Sequence, residues 1–150
     1  MEAVIFIGIQ AAGKSSFYHE RFADTHVRIN LDTLKTRARE MALLEACLRT
    51  GRPFVVDNTN VLSAERARYI ALARPAGFSI TGYYFYTTLE DALRRNRQRE
   101  GKAAIPEQGV LAKYRQMQPP SYAEGFDRLF WVTLQEGDGF VVRDWVEKPG

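Results

Sequence analysis

Val4-Ile5-Phe6-Ile7-Gly8-Ile9-Gln10-Ala11-Ala12-Gly13-Lys14-Ser15 decides the fold. Its first four residues form a continuous apolar run with β-branched side chains. That pattern predicts a strand covered on both faces, as in a parallel sheet. The next eight residues fit the spacing GxxxxGK[ST] between a strand and a helix running from Lys14 to about Ala23. Glycines let the backbone curl so that successive N–H groups point inward at phosphate oxygens. The helix that follows adds its positive end. Lys14 is placed to bridge β- and γ-phosphates, and the Ser15 hydroxyl to ligate Mg²⁺. The expected phosphate contacts are therefore Gly8, Ile9, Gln10, Ala11, Ala12, Gly13, Lys14, Ser15 and Ser16. Backbone donors act at Ala11 and Ala12, so a small side chain suffices there.

Strands and helices alternate outward from this stretch. Val27–Ile29, Pro53–Val56, Ser79–Tyr86 and Leu129–Leu134 read as further strands, and Phe140–Val146 as a closing hairpin partner. Helices are predicted over about Thr33–Arg49, Ser63–Arg74, Leu89–Arg97 (capped by Thr88) and Pro106–Met117. The expectation is a single α/β domain over residues 1–150, with a mainly parallel five-stranded sheet flanked by helices, a helical Arg-rich lid over about 94–118 and a C-terminal hairpin.

Composition narrows the class. The 150 residues are 45% hydrophobic and 26% charged, which excludes a disordered tail, a collagen-like rod and a coiled coil. A single cysteine, Cys47, excludes an internal disulfide framework, and with only His19 and His26 beside it a Cys/His zinc site is not expected. The apolar run at the N-terminus is too short for a signal or a membrane span, so a cytoplasmic location with no membrane partner is expected. Net charge is +3, yet residues 94–102 alone carry +4 through Arg94, Arg95, Arg97, Arg99 and Lys102 against Glu100. From charge alone such a run is a solvated helix face.

Missing features select among phosphate-loop proteins. No guanine-reading Asn-Lys-x-Asp or Thr-Lys-x-Asp is present, which argues against a GTPase. The third strand ends in Asp57-Asn58 rather than Asp-Glu, which disfavours an ATP-hydrolysing motor. Transfer of a γ-phosphoryl group to a bound hydroxyl remains, and it needs an acceptor base and cations around the migrating group. Asp32 lies just beyond the second strand, where the ligand crevice of such a sheet opens. There it can accept a hydroxyl proton, cap the following helix, or do both. Asp57 reads as a Mg²⁺ anchor acting through Ser15 or water, or as a turn residue. Arg95 and Arg99, spaced i, i+4, suit a lid that offsets charge on the equatorial oxygens, with Gly101 as a bend. Tyr83–Tyr86, Trp131 and Trp145 read as packing, and Cys47 as a small core residue.

Taken together, GIQAAGKSSF, INLDTL, LRTGRPFVVDNTN with AERARYIALARPAGF, and RRNRQREGKAAIP with PPSYAEGF resemble the polynucleotide 5′-kinase family, over about Val4–Val132. The resemblance implies a P-loop kinase fold with a lid, and ATP and Mg²⁺ as donor and cofactor. It implies a polynucleotide 5′-hydroxyl as acceptor, with Asp32 as catalytic residue beside Lys14, Arg95 and Arg99. It also places Asp57 near the metal, and Lys35, Thr59 and Asn60 near the acceptor. The family often has arginine before the aspartate and, in some members, three residues after it; here those places hold Leu31 and Lys35. Two other readings are open: a kinase of a small hydroxylated acceptor (nucleoside, sugar nucleotide or antibiotic), and an ATP-binding regulatory module that transfers nothing. A basic groove running past Lys35, Arg37 and Arg39 would favour the polynucleotide, and a closed apolar pocket near Asp32 and Thr59 the small acceptor.

Overall fold

A computed structural model describes residues 1–99, 105–135 and 139–147. The elements are β1 Glu2–Ile7, α1 Lys14–Arg21, β2 Val27–Ile29, α2 Leu31–Leu34, α3 Arg37–Thr50, β3 Phe54–Val56, α4 Ser63–Ala73, β4 Ser79–Tyr86, α5 Leu89–Gln98, α6 Glu107–Gln116, β5 Arg128–Gln135 and β6 Gly139–Asp144. The strands form one sheet in the order β2-β3-β1-β4-β5-β6. β1 to β5 pair in parallel, as the unbroken apolar runs predict. β6 then adds antiparallel to β5, so the hairpin extends the five expected strands to a sixth.

The alternation of side chains along β1 explains its all-apolar sequence. Ala3, Ile5 and Ile7 enter a core with Leu44 and Cys47 of α3 and Tyr69 and Ile70 of α4. Val4 and Phe6 enter a second core on the opposite face with Phe17 and Tyr18 of α1 and Phe22 beyond it. Ile5 and Phe6 are both essentially fully buried, and each such side chain contributes roughly 1.5–3 kcal/mol. Cys47 is buried in the first core, and burial pushes its thiol pKa up. The aromatic strand packs as expected: Tyr83 stacks on Phe130 at 5.1 Å, Tyr84 meets Trp131 edge-on, and Trp131 lies 5.8 Å from Trp145.

The helix expected over Thr33–Arg49 is divided. α2 ends at Lys35, whose backbone turns to φ 77°, and α3 starts afresh after Thr36. Two polar side chains favour the break, because each offers its oxygen to a free N–H one turn on. Asn30 accepts from Thr33 N at 3.0 Å, and Thr36 accepts from Arg39 N at 3.2 Å. Asp32 therefore caps neither helix; it sits in the first turn of α2.

α5 and α6 form the expected helical flap. Ala92 and Val110 pack with Ile9 of the loop and Val61 in a third, small core. Asn96 clamps the flap by donating to Ile105 O and accepting from Ile105 N. Thr88 caps α5, accepting from Asp91 N at 3.1 Å. α5 ends at Gln98 with Arg99 extended, so Arg95 and Arg99 do not share a helical face. Glu100, the Gly101 bend and Lys102 lie outside the described residues, as does the Glu136-Gly137-Asp138 turn. Among the described residues no helix is long and apolar enough to cross a membrane.

Arg66 holds the rear of the cleft together. Fully buried, it makes two hydrogen bonds to Glu124, at 2.8 and 3.0 Å, and donates to Asn60 O at 2.9 Å. Removing one partner of a buried pair leaves the other charge uncompensated. Arg66→Ala is expected to lower the unfolding free energy by about 3 kcal/mol, read from urea melts, and a loss under about 1 kcal/mol would contradict this role.

Candidate active site

The loop between β1 and α1 is held open by backbone contacts that the sequence motif requires. Gly8 N donates to Thr59 O at 2.9 Å, tying the loop to the segment after β3. A Cβ on Gly8 would come within 2.9 Å of Phe85 Cβ, and Gly13 has φ 97°, so both positions demand glycine. Ala11 has φ 64°, a left-handed conformation that costs a side-chain-bearing residue about 1–2 kcal/mol.

Lys14 lies almost wholly out of solvent, its Nζ donating to Gly8 O and Ile9 O at 2.8 Å each. Burial, aided by the nearby Arg99 charge, pulls its pKa down to about 8 against the opposing pull of Asp57 and Asp32. Ser15 donates to Asp57 Oδ2 at 3.3 Å, so the hydroxyl and carboxylate expected to hold Mg²⁺ meet across the loop. This hard-oxygen pair fits Mg²⁺, which binds through few protein oxygens and keeps several waters. Arg28 of β2 contacts both members of the pair: its Nε donates to Asp57 Oδ2 at 2.9 Å and a terminal nitrogen to Ser15 Oγ at 2.8 Å.

A cleft of about 920 Å³ opens over the loop. Gln10, Ala11, Lys14 and Ser15 of the loop line it together with Asp57, Thr59 and Asn60 from the segment after β3. Asp32 of α2, Lys35 at the end of that helix, and Arg99 at the end of α5 line it as well. Most of the residues singled out in the sequence thus converge. Arg95 does not line the cleft; it donates to Thr87 Oγ1 at 3.4 Å and to Leu134 O at 3.3 Å. Gly8 and Ile9 turn their carbonyls to Lys14, and Ser16 is exposed on the first turn of α1. Asn60 uses its side-chain amide on Phe6 O at 2.8 Å and is buried.

A network that sequence reasoning missed sets the position of Asp32. Asn58 Oδ1 accepts from Leu31 N at 2.9 Å, and Asn30 Nδ2 donates to Asp57 O, so the β3 end grips the start of α2. Asn58 Nδ2 in turn donates to Glu40 Oε2 at 2.9 Å. Glu40 is fully buried and also accepts from Tyr69 and Arg37. Arg37 and Lys113 join Lys35 in lining the cleft, whereas Arg39 turns to Leu34 O. The Asp57-Asn58-Thr59-Asn60 run was a visible signal for Asn58; its partners lie far away in sequence.

A nucleotide-binding α/β domain of the P-loop kinase fold is what this sheet order, loop and helical flap define. The chain belongs to the AAA domain family, which matches residues 4–120. Over 140 residues it is 30% identical to a protein of Acanthamoeba polyphaga mimivirus named as a bifunctional polynucleotide phosphatase/kinase, covering 89% of this chain and 33% of that protein. A bifunctional polynucleotide phosphatase/kinase of Schizosaccharomyces pombe is 26% identical, with 89% of this chain and 34% of that protein covered. The chain thus spans about one third of the length of these relatives. A gluconokinase from Sinorhizobium meliloti 1021 shares the fold with a TM-score of 0.61 at 19% identity, over 87% of this chain and 81% of that one.

If Lys14 binds phosphate, nucleotide affinity should depend on pH. Its ammonium is the form that attracts phosphate, and it discharges as pH rises through about 8. Bound phosphate favours the charged form, so binding takes up a proton in this range. ATP affinity measured by calorimetry should be near its maximum at neutral pH and fall towards about tenfold per pH unit well above the Lys14 pKa. An affinity unchanged over that interval would contradict the assignment.

Proposed function

We propose that this chain is a Mg²⁺-dependent ATP phosphotransferase whose acceptor is the 5′-hydroxyl of a polynucleotide. The observation that carries the reading is the convergence of Lys14, the Ser15–Asp57 pair, Asp32 and Arg99 on one cleft. ATP places its phosphates over the loop amides, with Lys14 leaving the Gly8 and Ile9 carbonyls for the β- and γ-oxygens. Mg²⁺, when bound, neutralises phosphate charge from the Ser15–Asp57 side. Asp32 takes the proton of the acceptor hydroxyl while the new P–O bond forms and the bond between the β,γ-bridging oxygen and the γ-phosphorus breaks, releasing ADP. Arg99 sits to offset charge on the three equatorial oxygens.

The polynucleotide acceptor is supported by the cleft lining. Lys35, Arg37 and Lys113 line the same open cleft as Asp32, cations suited to phosphodiesters and unlike a closed apolar pocket. The names of the two curated relatives support the same acceptor. A carboxylate, Asp32, lining the same cleft as the phosphate loop favours transfer over a purely regulatory role. Arg95, directed at the β5 end, belongs to the nucleotide side of the flap in this reading.

A transfer assay with γ-labelled ATP, comparing 5′-hydroxyl DNA and RNA oligonucleotides with nucleosides and sugars, tests the reading. Label is expected on the oligonucleotides; label only on small acceptors would overturn the polynucleotide assignment, and no transfer at all would overturn the enzyme. Asp32→Asn should retain ATP binding and lose about 10²–10⁴-fold in turnover. Asn58→Ala, which removes the hydrogen bond from Leu31 N that ties α2 to the β3 end, should lower kcat by about tenfold with little change in KM for ATP. Equal kcat in wild type and Asn58→Ala would remove Asn58 as a positioning residue.

A further inference from the structure

Arg28 stands on β2 opposite Val55, and no step of the proposed transfer uses it. Its guanidinium nevertheless reaches both members of the metal-holding pair. It donates to Asp57 Oδ2, the same oxygen that accepts the Ser15 hydroxyl, and to Ser15 Oγ itself. The Asp57 side chain is 2% exposed and that of Arg28 25%. The guanidinium also lies 5.8 Å from the centre of the Tyr18 ring. A guanidinium does not lose its proton in proteins, so this charge is permanent. In contact with the nearly buried carboxylate, it opposes the field with which Asp57 would attract a bare divalent ion. One acceptor site of the Ser15 oxygen is also taken.

We propose that Arg28 is a built-in counter-ion that makes divalent-cation binding at Ser15–Asp57 conditional on a bound triphosphate. The neutral Arg28–Asp57 pair holds a free ion poorly, and the phosphate oxygens supply the missing negative charge. The metal then enters with the nucleotide rather than before it. This inference rests on Ser15 and Asp57 being the Mg²⁺ pair of the proposed kinase.

Mn²⁺ titrated into the nucleotide-free protein, followed by electron paramagnetic resonance, reads the effect without phosphoryl transfer. Wild type should bind Mn²⁺ weakly. R28Q and R28M, two neutral replacements, should bind at least about tenfold more tightly, and the double variant R28Q/D57N should lose that gain. R28K keeps the charge and should stay within about threefold of wild type. With a non-hydrolysable ATP analogue present, wild type and R28Q should converge. The proposal is overturned if the neutral variants gain nothing, if R28K gains as much as R28Q, or if wild type binds Mn²⁺ as tightly without nucleotide as with it. The last comparison needs no variant to fold. A failed acceptor screen would leave these metal affinities standing, and unchanged affinities would leave Asp32 and Lys14 in their roles.

Discussion

A buried ammonium group at the end of a strand is the constraint around which the cleft is organised. Lys14 Nζ is enclosed by the carbonyls of Gly8 and Ile9, and its charge is strained by burial. A group in that condition is stabilised by a phosphate more than an exposed lysine would be. The strained loop, the left-handed Ala11 and Gly13, and the contact of Gly8 with the Thr59 carbonyl all keep that ammonium in the lining of the cleft. The sheet serves the same end, because β1 lies between β3 and β4 and brings Asp57 to the loop and the flap over it.

What was legible in the sequence was local. The β1–loop–α1 unit is specified by neighbouring residues, and it forms as read. Thr88 capping α5 and the parallel character of the apolar strands belong to the same category, since each follows from spacing within a few residues. The pairing of Ser15 with Asp57 was also reachable, because both lie where strand ends meet on a parallel sheet.

The remainder depended on contacts that no local pattern carries. The periodicity of Leu34, Ala38 and Met41 favours one helix, but Asn30 and Thr36 each cap a separate one and Lys35 takes the strain between them. Arg99 follows Arg95 at helical spacing, yet α5 stops one residue short of it. The Glu40–Asn58–Tyr69 cluster joins α3, the β3 end and α4, and Arg28 reaches Asp57 across 29 positions. These are side-chain meetings fixed by packing, and they place Asp32, Arg37 and the Ser15–Asp57 pair more tightly than the motifs do. The local motif builds the loop, whereas the Asp32 and Arg37 side of the cleft is built from these longer contacts.

The most direct test is a crystal structure with a non-hydrolysable ATP analogue and Mg²⁺. The account predicts the β-phosphate within the Gly8–Ser15 amides, Lys14 turned from the loop carbonyls to the phosphates, and the γ-phosphate facing the Asp32 carboxylate. An analogue bound elsewhere, or one in the loop with its γ-phosphate directed away from Asp32, would contradict it.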